Sequence, residues 1–160
     1  MKRNIQIAVM LVAVIFAVMF NQGRIVDNNK ELAMEYFLEH DGPVYYLNGI
    51  DYSKPVKLYQ VKKGDVFIQY QLPKAPQGNF YAFEGSLPSE LGINEIGYDE
   101  DEEIVAKKKK RVYVATKDFT VLSSYAAPMV DDWSTPEDET QTAGGKIQLF
   151  TTCKTCFRLQ

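Results

Sequence analysis

Apolar and polar positions divide the chain into three stretches with different periodicities. Residues 7–20 are fourteen side chains without a polar group, preceded by Lys2 and Arg3. A basic start followed by an apolar run is the order of a secretory signal, and the run is shorter than the roughly 20 residues a membrane-spanning helix needs. No Ala-x-Ala site follows it, because Ala17-Val18-Met19 ends in a bulky side chain. Residues 1–23 are therefore expected to be a signal peptide or an N-terminal membrane anchor, with residues 5–20 in the membrane if uncleaved. The cations at the start favour a cytoplasmic N-terminus, so residues 24–160 are expected to form one extracytoplasmic domain, secreted or anchored.

Beyond a polar stretch at 21–29, Leu32, Ala33, Tyr36 and Phe37 fall on one helical face. The pattern predicts an amphipathic helix capped by Asn28 and stopped by Asp41, Gly42 and Pro43. Strand patterns follow. An apolar run covers 44–47, residues 56–61 alternate, and Val66, Ile68, Tyr70 and Leu72 alternate with Phe67, Gln69 and Gln71. Further strands are expected over 79–83, 112–114, 119–122 and 147–150, with a helical turn over 88–92 closed by glycine. An acidic block at 99–103 and a basic block at 107–111 read as solvated loop faces, and Asp131, Asp132 and Trp133 as a turn with a buried aromatic. The fold class expected is α+β: an N-terminal hydrophobic helix, one amphipathic helix, then a mostly antiparallel strand-rich domain.

Ten Tyr and nine Phe suit such a sheet. The net charge is −3, and it falls to −5 without residues 1–23, which hold two of the 18 cations and none of the 21 acids. That balance argues against a nucleic-acid partner. With His40 as the sole histidine, a His-rich metal centre is excluded and a Ser–His or Cys–His pair disfavoured; no metal site is expected. Cys153 and Cys156 lie at the chain end with no βαβ setting, so a local disulfide or tail crosslink is expected rather than a redox motif. No nucleophile elbow, P-loop or dinucleotide-binding glycine motif is present.

Four ordered segments carry a resemblance. Gly78-Asn79-Phe80-Tyr81-Ala82-Phe83-Glu84-Gly85 is followed by Pro88-Ser89-Glu90-Leu91-Gly92-Ile93. Then come Val121-Leu122-Ser123-Ser124-Tyr125-Ala126-Ala127-Pro128 and Gly144-Gly145-Lys146-Ile147-Gln148-Leu149-Phe150. This order resembles the bacterial polymorphic-toxin C-terminal domains of the tuberculosis-necrotizing-toxin-like kind, which hydrolyse NAD and NADP. The resemblance implies Gln148 as the catalytic residue, with Phe80 or Tyr81 lining the substrate pocket. Gly144 and Gly145 would let backbone amides approach a phosphate. Gln69 stands near the place where that family carries an arginine, Lys146 replaces a third glycine, and Phe83 stands in place of a proline.

The chemistry needs no cofactor beyond NAD(P) as substrate. Cleaving the nicotinamide–ribose bond passes through an oxocarbenium-like state, which positioned dipoles and an aromatic face can stabilise. The same residues also fit a plain sheet: Gln148 could be a strand's polar face, Phe80 and Tyr81 core, and Gly144-Gly145 a hairpin turn. The alternative function is a non-catalytic extracytoplasmic domain, immunity-like or a lapsed enzyme, that binds a protein partner through its Tyr-rich strands.

Overall fold

The computed structural model describes residues 2–99, 104–131 and 139–160, with side chains at Met19 and from residue 21 onward except 99 and 104. One helix, α1 (Lys2–Glu39), opens the chain. Strands β1 (Lys57–Val61), β2 (Val66–Gln71) and β3 (Phe80–Ala82) follow a 3-10 turn at Val44–Gly49. Next come β4 (Ile96–Asp99), β5 (Ile104–Lys107), β6 (Lys109–Ala115) and β7 (Phe119–Tyr125). The chain ends with β8 (Val130–Asp131), β9 (Thr140–Gln141), β10 (Ile147–Phe150) and β11 (Phe157–Leu159). Seven strands form one antiparallel sheet in the order β1-β7-β10-β3-β2-β6-β11, while β4–β5 and β8–β9 are separate ribbons. The α+β class and the antiparallel sheet are as expected from the sequence.

The helical part differs from expectation. The polar stretch at 21–29 is part of α1, so the expected hydrophobic and amphipathic helices are one element. Gly23 lowers helix propensity by only about 1 kcal/mol, which its neighbours absorb. Instead of a cap at Asn28, the next residue binds α1 to the domain. Asn29 Nδ2 donates to the carbonyls of Tyr52 and Lys54, both at 2.9 Å, and its Oδ1 accepts from the Val56 amide at 3.1 Å. The side chains of the apolar run lie largely outside the described residues. Among the described residues no helix is long and apolar enough to cross a membrane. The expected stop does hold: Asp41 adopts φ 52°, and the Gly42 amide donates to Phe37 O at 2.7 Å. A Cβ on Gly42 would lie 2.7 Å from the Phe37 ring, so only glycine fits there.

Residues 44–47 are a 3-10 turn rather than a strand. The basic block is no loop face either: residues 109–111 enter β6, and Arg111 donates to the carbonyls of Ala75 (3.2 Å), Leu72 (3.4 Å) and Pro73. Burial holds the Lys108 ammonium below its usual range, and its Nζ donates to Asn94 O at 3.0 Å. The acidic block and Trp133 fall outside the described residues, apart from the Asp99 backbone, and Asp131 is buried in β8. Cys153 and Cys156 form the expected local disulfide.

The two faces of the sheet are covered differently. On one, Val61, Phe67, Tyr81, Tyr113, Val121, Leu149 and Phe157 pack on each other. Phe157 of β11 meets Phe119 of β7 at 5.2 Å, although five strand spacings, roughly 24 Å in a flat sheet, separate those strands. The sheet therefore curls until its own side chains fill this concave face. The other face is covered in part by α1, where Ala33, Tyr36 and Phe37 meet Leu122 and Phe150. Phe37 stacks on Phe150 at 3.9 Å. Farther along the same face, over β3 and β2, α1 no longer reaches. Leu91 of the Ser89–Leu91 turn packs there against Ile68 and Ala82.

Candidate functional site

The gap between those two covers is a cavity of about 540 Å³, within the usual 300–1,000 Å³ range of small-molecule sites. Its floor is sheet: Phe80 and Ala82 from β3, Ile68 and Tyr70 from β2, and Gln148 from β10. Tyr45, Tyr46, Asn48 and Gly49 form one wall, Leu91, Gly92 and Ile93 the opposite one. Asn79 borders it where the chain enters β3. Alternation explains the convergence. Gln148 lies opposite Ala82 and Phe150 opposite Phe80, so these four side chains share one sheet face although they come from distant parts of the sequence.

Gln148 is buried and held at one end. Its Nε2 donates to Gly49 O at 2.8 Å and to Ser124 Oγ at 3.3 Å. Because a carbonyl oxygen can only accept, the amide orientation is fixed. Its Oε1 accepts no hydrogen bond among the described residues, and it is the polar atom this side chain can still offer. Phe80 is half-buried, with its ring 5.2 Å from both Phe150 and Tyr46. Tyr45 stands largely exposed beside Tyr46, with ring centroids 4.5 Å apart. The hydrogen bond with Tyr45, and then burial, raise the Tyr46 phenol above its ordinary value. No Asp, Glu, His, Lys or Arg is among the described lining residues.

The sequence-derived residues separate here. Gln148 and Phe80 come together in the cavity. Tyr81 borders it but points to the opposite sheet face, stacked on Phe157 at 4.0 Å and hydrogen-bonded through its hydroxyl to Gln77. Burial pushes its phenol far above the usual tyrosine range. It is a core residue, as alternation next to Phe80 requires. Gly144 and Gly145 are not brought to the cavity, and their amides are already used. Gly144 N–H donates to Ser89 O at 2.9 Å and Gly145 N–H to Ala126 O at 2.8 Å. Both have positive φ, and a Cβ on Gly144 would lie 2.5 Å from Pro128 N. These glycines let the chain clip the Ser89–Leu91 wall to the sheet, which corrects the expectation of a phosphate cradle. Lys146 also serves that clip, with its Nζ 3.6 Å from Glu90 Oε1.

Gln69 does not replace a ligand-binding arginine, because its amide is spent inside the fold. Its Nε2 donates to Gly78 O (3.1 Å) and Phe80 O (2.7 Å), and its Oε1 accepts from the Gly78 amide (3.1 Å) and Gln71 Nε2 (2.8 Å). Sequence reasoning missed Tyr45, Tyr46 and Asn79. The first two sit in an unremarkable apolar run, and only an unpaired atom in the fold singles out the third.

Comparison with known proteins gives the family. The family model described as bacterial toxin 46 matches residues 19–157. The NAD(P)(+) glycohydrolase toxin Tse6 of Pseudomonas aeruginosa is 36% identical over 136 residues, which are 82% of this chain and 32% of that relative. The chain thus spans about a third of that relative's length. A solved structure of Tse6 in complex with Tsi6 superposes with TM-score 0.72 and 35% identity, covering 85% of this chain and 96% of that one. A second, of Rhs1-CT in complex with its cognate immunity protein RhsI1, has TM-score 0.50 at 16% identity, covers 74% and 83% of the two chains, and shows likeness of fold.

Proposed function

The chain belongs to the bacterial toxin 46 family, and from that premise we propose that its domain is an NAD(P) glycohydrolase of the toxin type. The observation that carries the reading is one neutral, aromatic-walled cavity in which the strands bring Phe80 beside the unclaimed Gln148 Oε1. Likeness to a glycohydrolase toxin over most of the chain supports it. In this mechanism the ring of Phe80 stacks on the cationic nicotinamide, and Gln148 Oε1 accepts a ribose hydroxyl or faces the developing positive charge. The bond from C1′ to the ring nitrogen breaks with its electron pair leaving on nitrogen. Neutral nicotinamide departs, a water oxygen bonds to C1′, and one proton is released to solvent. The protein positions and shields rather than trades protons, which suits a site whose described lining residues include no carboxylate or histidine.

The purified chain, given fluorescent etheno-NAD, should raise emission steadily. No rise at high protein concentration, with substrate intact by chromatography, would remove the enzyme reading.

Two further parts of the reading concern place and partner. The Lys2-Arg3 start and the apolar run support an exported or anchored protein with its domain outside the cytoplasm, and the Cys153–Cys156 disulfide suits an oxidising compartment. A fusion of residues 1–30 to alkaline phosphatase should be active; a silent fusion contradicts the export. An immunity-like protein partner is supported by the β4–β5 ribbon. Its register places Ile96, Tyr98 and Val105 on one face, and all three are exposed. A domain that bound such a partner yet left etheno-NAD intact would be the non-catalytic, lapsed form of the same fold.

A further inference from the structure

We propose that Asn79 recognises the carboxamide of the nicotinamide ring, its Oδ1 accepting an N–H of that group. The inference rests on the NAD(P) reading above and names how that site tells its substrate's ring from others.

Hydrogen-bond accounting around the cavity leads to this residue. Gln69 Oε1 accepts two donors, Gln71 Oε1 accepts the Tyr113 hydroxyl at 3.1 Å, and Gln148 Nε2 has two acceptors. Asn79 Oδ1, by contrast, is buried and accepts nothing among the described residues. Folded proteins leave few such atoms, and each asks for a cause. The backbone here is fixed: Asn79 O accepts the Thr151 amide at 3.0 Å, and β3 begins at the next residue. Asn79 is among the residues that line the cavity, immediately before Phe80. Its χ2 is a broad, roughly two-fold torsion, so the oxygen can turn into the cavity without moving the strand.

The missing partner must be a donor. A ring stacked on Phe80 lies beside Asn79, and the carboxamide is the one substituent of nicotinamide that carries N–H groups. The acceptor is also neutral, and its dipole is favourable beside a cationic ring. A site built around a buried acceptor rejects analogues that lack the donor, because the acceptor is then left unpaired.

The test compares three dinucleotides on the full chain: NAD, the thionicotinamide analogue, which keeps the amide NH₂, and the 3-acetylpyridine analogue, which replaces it with methyl. Expected kcat/KM is about tenfold to hundredfold lower for acetylpyridine than for the other two. Asn79→Leu should bring NAD down to the acetylpyridine value. Its Tm should hold or rise, since an apolar side chain replaces an unpaired buried acceptor. Equal rates for all three substrates overturn the proposal, as does an unchanged ratio in Asn79→Leu or a clear fall in its Tm, which would show the oxygen in use within the fold. If Asn79→Leu does not fold, the ratio in the unmutated chain decides. Should none of the dinucleotides be cleaved, the glycohydrolase reading is lost. Calorimetry with free nicotinamide against 3-acetylpyridine then still judges Asn79, upheld by tighter nicotinamide binding and overturned by equal binding.

Discussion

Two strands of the same sheet carry buried glutamines, Gln69 and Gln71 on β2 and Gln148 on β10, and the fold uses them in opposite ways. On β2, Gln69 and Gln71 have both ends of their amides occupied. They clip the 76–80 segment to the strand and reach the Tyr113 hydroxyl. On β10, Gln148 is tied, among the described residues, by its nitrogen alone. Burial does not tell them apart, since all three are less than a tenth exposed. The discriminating quantity is the number of hydrogen-bonding atoms the fold leaves unclaimed. A fully satisfied amide fixes shape, whereas one with an unclaimed oxygen has something to offer a ligand.

The comparison can be broken at several points. The largest expected effect is on Gln148→Ala, which should lower kcat about hundredfold, close to 3 kcal/mol, with little change in KM. Full turnover in that variant would move the active centre elsewhere. Gln71→Ala should do the reverse. It leaves the Tyr113 hydroxyl and the Pro76 carbonyl without their partner and should cost about 2–3 kcal/mol of stability by denaturant unfolding. Turnover per folded molecule should fall far less than in the β10 variant. Phe80→Ala sits between the two. Losing a half-buried ring should cost about 2 kcal/mol and raise KM severalfold. A KM unmoved by that change would count against stacking. Replacing Cys153 and Cys156 together with serine should cost no more than about 2 kcal/mol, the loop-closure entropy of so short a bridge, and leave turnover unchanged. Finally, kcat should vary less than about twofold from pH 6 to 8, because the described lining residues include no carboxylate, histidine or amine; a bell-shaped profile would point to an ionisable group at work.

Much of the fold follows from local pattern. Alternation marks β2 and β10, the 88–92 turn closes on Gly92 at φ 70° as a glycine should, and Asp41-Gly42-Pro43 stops α1. Sidedness is less legible. With both sheet faces covered, Gln69 and Gln71 look like a solvent face in sequence and are interior in fact. The same holds for the 21–29 stretch, whose polar composition hides a helix that tertiary bonds at Asn29 help to secure. In the site, Gln148 and Phe80 are reachable by resemblance, but Asn79 is not, because an unpaired atom is a property of the assembled structure. Gly144 and Gly145 fit two roles on sequence grounds. Only the identity of their carbonyl partners separates a wall clip from an anion cradle.

The place of β10 bears on when the site comes into being. It follows β2 and β3, the other strands of the cavity floor, by more than sixty residues, yet it inserts between β7 and β3 inside the sheet. The Gly49 carbonyl accepts from the Ala127 amide and gains Gln148 Nε2 as a second donor from 99 residues along the chain. At translation speeds of about 5–20 residues per second, the stretch from Phe80 to Gln148 takes roughly 3–14 s, in which a nascent chain has Phe80 and the Tyr45–Tyr46 wall but no strand to join them. Such non-local closure is also slow in itself, since the entropy of the long intervening loop is lost before any contact compensates. A chain still short of residue 150 therefore has no assembled cavity. Closure of the cavity waits on residues 147–150 pairing between β7 and β3.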